Sequence, residues 1–246
     1  MSKNIEVLLR AKETTELFKP KSVPQKCSEP RLPSKPTEAV GSAEEADLVQ
    51  QVFLLPAREV PRVVVFYGVG EVDGAIGICA RAAENLANQT GSSVCVVEGH
   101  FHAPSVHGYF GVSNSRGLTD AILEPGPIQD FVCPLPESNL SVLSAGSRCG
   151  EAHALWKSES LRARMEELRS KFSYVLIYCS HANRHVDAML LGQIADGVIL
   201  ILESMVTRRE TARTVKENLD AANVKILAAV LNNHSYSIPE NLYRKL

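Results

Sequence analysis

Val63-Val64-Val65-Phe66-Tyr67-Gly68-Val69-Gly70-Glu71-Val72-Asp73-Gly74-Ala75-Ile76-Gly77 joins an apolar run to a glycine-rich turn and the start of an alanine-rich segment. An unbroken apolar run this short reads as a strand buried on both faces, and the segment from Ala75 to Gln89 has helical periodicity. The same alternation continues along the chain. Strands are expected at Val94–Val97, Leu140–Leu143, Tyr174–Tyr178, Val198–Leu202 and Ile226–Leu231, with helices at Ser160–Phe172, His185–Ile194 and Arg208–Ala222. Strands without polar alternation, separated by helices, predict an α/β fold: a doubly wound, mostly parallel sheet with helices on both faces. In such a sheet ligands sit beyond the carboxyl ends of the strands, so chemistry is expected in the loops after Tyr67, Val97 and Tyr178.

Upstream the composition changes. Residues 1–18 read as an amphipathic helix with Ile5, Leu8, Leu9, Leu17 and Phe18 on its apolar side. Residues 19–42 form a linker rich in proline and polar residues, with Pro20, Pro24, Pro30, Pro33 and Pro36, and residues 43–246 form the folded domain. The chain has 246 residues and a formal charge of -2, which gives no electrostatic case for nucleic acid or an anionic membrane surface. No apolar run is long enough to span a membrane and the charged N-terminus does not suit a signal peptide, so a cytoplasmic protein is expected. None of the six cysteines forms a C-x-x-C pair, and buried reduced thiols are expected.

The glycine turn admits two chemistries. Gly68, Gly70 and Gly74, with Glu98 ending the second strand, resemble a nicotinamide-dinucleotide fingerprint whose glycine spacing is one residue too long. A phosphate-binding loop instead needs a lysine and a hydroxyl where Ala75 and Ile76 stand, and lacks both the ammonium for the phosphates and the oxygen for Mg²⁺. A tight turn that binds nothing is the third reading.

From about Glu44 onward the chain resembles the bacterial tyrosine autokinases of capsule and exopolysaccharide synthesis, P-loop ATPases related to those of cell-division-site selection and chromosome partition. Pro104-Ser105-Val106-His107-Gly108-Tyr109-Phe110-Gly111 matches the family's Pro-Ser-Leu-His-x-x-Phe-Gly, and Gly117-Leu118-Thr119-Asp120 matches its Gly-Leu-Thr-Asp. Asn139 to Gly146, Ala195-Asp196-Gly197-Val198, Thr207-Arg208-Arg209-Glu210 and Val230-Leu231-Asn232 follow in the family's order. The resemblance implies a P-loop nucleotide site at Gly70, Gly74, Ala75, Ile76, Gly77, Glu98 and Asn232, the last at the adenine-contacting position.

The departures fall on the chemistry. Pro-Gly-Glu-Gly-Lys-Ser-Thr is replaced by Glu71-Val72-Asp73-Gly74-Ala75-Ile76-Gly77. Asp-x-Asp-Leu-Arg-Arg-Pro is replaced by Glu98-Gly99-His100-Phe101-His102-Ala103-Pro104, and the aspartate before Thr-Pro-Pro gives way to Tyr178-Cys179-Ser180-His181. The assembly helix Glu-x-x-Arg-x-x-Arg falls near Glu45, with Leu48 and Gln51 for its arginines, and only Tyr236 and Tyr243 remain of the tyrosine-rich tail. Asp187 is retained after the third motif. The resemblance therefore implies a pseudo-kinase with no catalytic residue, and with ATP and Mg²⁺ binding weak or lost.

The implied partners are the chain-length regulator of polysaccharide export at the inner membrane or an active autokinase homologue, with homo-oligomers a further option and a peripheral place at the membrane through the partner. An active autokinase or weak ATPase, and a nicotinamide-dependent oxidoreductase, are the alternatives. No metal is expected, although His100, His102, His181 and His185 would suit a transition metal if the second and third loops met.

Overall fold

The structure, a computed structural model, describes residues 42–55, 60–70, 72, 74–147, 159–181 and 186–233. The segments 1–18 and 19–41, and Glu71, Asp73, His185, Tyr236 and Tyr243, lie outside the described residues.

Helix α1 (Ser42–Val49) runs into a π-helical turn at Gln50–Leu54. Strand β1 (Val63–Val69) and helix α2 (Ala75–Thr90) follow, then β2 (Val94–Glu98), α3 (Val106–Phe110) and α4 (Leu118–Leu123). The two-residue β3 (Cys133–Pro134) precedes β4 (Leu140–Leu143). Next come α5 (Glu159–Lys171), β5 (Tyr174–His181), α6 (Val186–Ile194), β6 (Gly197–Glu203), α7 (Arg209–Ala221) and β7 (Ile226–Asn232).

The strands form one seven-stranded sheet in the order β3-β4-β2-β5-β1-β6-β7. Only β3, paired with β4, runs antiparallel. Every residue of β1 is buried, because it lies at the sheet's interior and is covered on both faces. Alternate side chains point to opposite faces. Val63, Val65 and Tyr67 pack with α4, α5, α6 and α7, while Val64 and Phe66 pack with α1, α2 and α3. Each large apolar side chain buried this way contributes about 1.5–3 kcal/mol.

The strands and helices predicted from Val63 onward are present within a few residues. Strand β5 runs on through Ser180 and His181, because these residues pair with Gly68 and Val69 of β1. The predicted strand ends at Tyr178 since the following residues are polar. Helices α3 and α4 were not legible, being too short for a periodic pattern. Cys79, Cys95 and Cys179 are buried and Cys133 is half-buried, all four outside any disulfide.

Candidate functional site at the carboxyl edge of the sheet

Strand β1 delivers the glycine loop to the carboxyl edge of the sheet between β5 and β6. Gly68 packs so closely on β5 that a Cβ there would lie 2.9 Å from the Ser180 hydroxyl oxygen. Gly70 (φ 86°) and Gly74 (φ 79°) occupy the left-handed region, which favours glycine and turns the chain from strand into α2. Helix α2 then opens with Ala75, fully buried, Ile76, half-buried, and Gly77, buried. Its first turn has no capping side chain and no acidic residue. Among the described residues of these loops (68–70, 72, 74–77, 98–105, 178–181, 203 and 232) there is no lysine or arginine. Arg81 of α2, whose Nη1 would lie 2.9 Å from a Cβ on Gly77, is paired with Glu45, with Nη2 2.6 Å and Nε 2.9 Å from Oε1.

Glu98 ends β2 with 0% exposure. Its Oε1 accepts from the His100 N–H at 3.0 Å, and its Oε2 accepts from the N–H groups of Ser105 at 2.6 Å and Val106 at 2.8 Å. The carboxylate thus closes the loop from 99 to 106 and caps the start of α3. Burial pushes its pKa up to about 7, against the three backbone bonds that pull it down.

Tyr178 lies beside Glu98 in the register of β2 and β5. It is 5% exposed, and burial pushes its phenol up to about 12 while a hydrogen bond with Ser180 works the other way. Cys79 of α2 belongs to the same buried group, its thiol pushed up by burial and by the charge of Glu98. Tyr178 therefore places a neutral aromatic group in the protein interior beside Glu98.

On the other side of the loop, a Cβ on Gly74 would lie 3.9 Å from Nδ2 of Asn232, so β7 brings Asn232 to the glycine turn. That amide donates to Oε2 of Glu203 at 3.2 Å, and Asn233 donates to Oε1. Glu203 is 7% exposed and was not singled out in the sequence; the signal was an acid directly after the apolar run of β6. Thr207 completes the corner, its hydroxyl accepting from the Glu203 N–H at 2.8 Å and donating to the Val69 carbonyl at 3.3 Å.

Gly70, Gly74, Ala75, Ile76, Gly77, Glu98 and Asn232 are thus gathered at one edge. His100 is half-buried and His102 exposed on the loop that Glu98 closes. Among the described residues no three His, Cys, Asp or Glu side chains converge on a metal position, and the side chains of His181, His185 and Asp187 lie outside that description.

The matched Gly117-Leu118-Thr119-Asp120 segment has a structural explanation. Thr119 Oγ1 donates to the Ala145 carbonyl at 2.8 Å. Oδ2 of Asp120 accepts from the N–H groups of Gly117 and Ser147, both at 3.0 Å. The motif sews the start of α4 to the loop after β4.

No protein-family model matches the chain. It is 29% identical over 161 residues to the tyrosine-protein kinase YwqD of Bacillus subtilis, a match covering 64% of this chain and 68% of that protein. The tyrosine-protein kinase CpsD of Streptococcus agalactiae is 22% identical over 178 residues, 72% of this chain and 76% of its own length. The chain is a homologue of bacterial tyrosine-protein kinases of the capsule and exopolysaccharide type. The chimerical protein CapA2B2 superposes on this kinase-like chain with a TM-score of 0.74 at 22% identity, covering 82% of this chain and 88% of that one. The cell-division ATPase MinD of Pyrococcus furiosus gives 0.56 at 20% identity, covering 75% and 78%. The fold is that of P-loop NTPases.

Proposed function

We propose that the chain is a non-catalytic, kinase-like protein that regulates or scaffolds capsule or exopolysaccharide synthesis. The observation that carries this reading is the chemistry of the edge built by β1, β2 and β5. Phosphoryl transfer of this type rests on positioning and on neutralising phosphate charge, with a lysine on the phosphates and Mg²⁺ held by a hydroxyl and acids. Here Ala75 and Ile76 stand at the lysine and hydroxyl positions, and His100 and Tyr178 at two of the acidic positions. The one acid kept, Glu98, is taken up by three backbone N–H groups. The described residues of this edge do not fit MgATP. Each missing charge-assisted bond is worth about 1.5–3 kcal/mol, so losing several removes most of the affinity a triphosphate would need.

In this reading the protein works by association. Its partner is a chain-length regulator of polysaccharide export or an active kinase homologue, which would hold it at the inner face of the membrane. The test is co-expression of the whole chain with a chain-length regulator from the same genome, followed by affinity capture and a phosphotyrosine assay on the isolated chain. Capture of the regulator together with no phosphotyrosine is expected. Phosphotyrosine made by the chain alone contradicts the non-catalytic reading, and failure to capture either the regulator or, on co-expression, an active kinase homologue contradicts the pathway role.

A further inference from the structure

The turn between β6 and α7 holds two apolar side chains out in solvent. Met205 is 100% exposed and Val206 61%, and Leu231 of the adjoining β7 is 49% exposed. Met205 sits in the left-handed region at φ 64°, where an unbranched apolar residue gains nothing from its own side chain. The turn is nevertheless tightly held. The Val206 and Thr207 N–H groups donate to the Glu203 carbonyl at 3.3 and 2.9 Å, Ser204 donates to the Asn232 carbonyl at 2.9 Å, and Thr207 is bonded on both sides as described. A rigid base thus presents a convex apolar tip.

Arg208 and Arg209 follow directly, both exposed and without a side-chain partner among the described residues. Arg213, one turn along α7, is bonded to the exposed Glu217, and Glu210 is the one exposed acid from Ser204 to Arg213. The whole-chain balance of charge conceals this local excess of positive charge beside an apolar protrusion.

We infer that the turn Ser204–Thr207 with Arg208 and Arg209 docks directly on an anionic lipid surface, the apolar tip entering the acyl boundary and the guanidinium groups resting among the headgroups. A protein partner would need a pocket cut to a single fully solvated methionine. A fluid bilayer accepts such a tip without one, and arginine directly behind it matches the headgroup level. This holds whether or not the glycine loop binds nucleotide.

The test is co-sedimentation of the whole chain with phosphatidylcholine vesicles and with vesicles of equal parts phosphatidylcholine and phosphatidylglycerol. Binding to the anionic vesicles only, weakened by salt, is expected. Replacing Arg208 or Arg209 by glutamine is expected to reduce the partition coefficient about fivefold each. Met205→Asn is expected to abolish binding while leaving the melting temperature unchanged or raised, since asparagine tolerates the left-handed region. No sedimentation with anionic vesicles, equal binding to both vesicle types, or full binding by Met205→Asn would overturn the proposal. Loss of a captured protein with Met205→Asn, where the wild type ignores vesicles, assigns the turn to protein docking and overturns it equally.

Discussion

Glu98 ends β2 as a fully buried carboxyl group held by three backbone N–H groups. In the sequence it is legible as the acid that closes a buried strand. Its three backbone bonds were not, because they depend on a loop that returns to it over several residues. Glu98→Ala leaves those amides without their acceptor and is expected to lower stability by about 2–4 kcal/mol in urea unfolding. Titration gives a second check. With a folded pKa of about 7 against an ordinary 4.5, the folded state keeps a proton that the unfolded chain has released. Stability from this group therefore falls as pH rises from about 4.5 to about 7, and is level above that. Glu98→Gln is expected to lose this slope, read as a smaller change in unfolding free energy between about pH 5 and about pH 8. An unchanged slope would mean that Glu98 is solvated.

Two junctions between elements make the same point at larger scale. Oδ2 of Asp196 accepts the N–H groups of Arg62 at 2.7 Å and Val63 at 2.8 Å, and its Oδ1 lies 2.9 Å from Nη2 of Arg169. This joins the start of β1, the end of α5 and the approach to β6. These bonds hold its carboxyl below the usual 3.8 despite partial burial. The group's contribution is present above about pH 4 and is lost as pH falls below it. Asp196→Ala is expected to lower stability by about 1–3 kcal/mol at neutral pH and by less at about pH 3, as chemical denaturation would show. At the second junction, a Cβ on Gly117 would lie 2.2 Å from the Ser144 carbonyl oxygen, with no flexible atom to give way. Gly117→Ala is expected to cost about 3 kcal/mol or more, measured the same way. The sequence carried this glycine only as part of a matched motif. Its physical reason is the approach of α4 to the loop after β4, which no local pattern encodes.

For the molecule as a whole, the parallel sheet was legible because its strands lack polar alternation, as in the fully buried β1. The location of the site followed from the same fact, since the strand ends define the edge where loops collect. The antiparallel β3 was not legible, at two residues with a proline among them. Nor was the Glu203 corner, where three segments meet and only the fold makes them neighbours. Together these features build the sheet and its carboxyl edge, where the described residues of the glycine loop carry no lysine. On the proposed reading, Ala75→Lys with Ile76→Ser and Tyr178→Asp is expected to raise ATP affinity measurably, by an amount a thermal-shift titration would resolve.

The most direct measurement is calorimetric titration of MgATP into the whole wild-type chain. No saturable binding up to about millimolar nucleotide is the predicted result, since a dissociation constant of 1 mM already corresponds to only about -4 kcal/mol. A micromolar dissociation constant would contradict it, and would mean that this edge seats a triphosphate by contacts other than lysine, hydroxyl and aspartate.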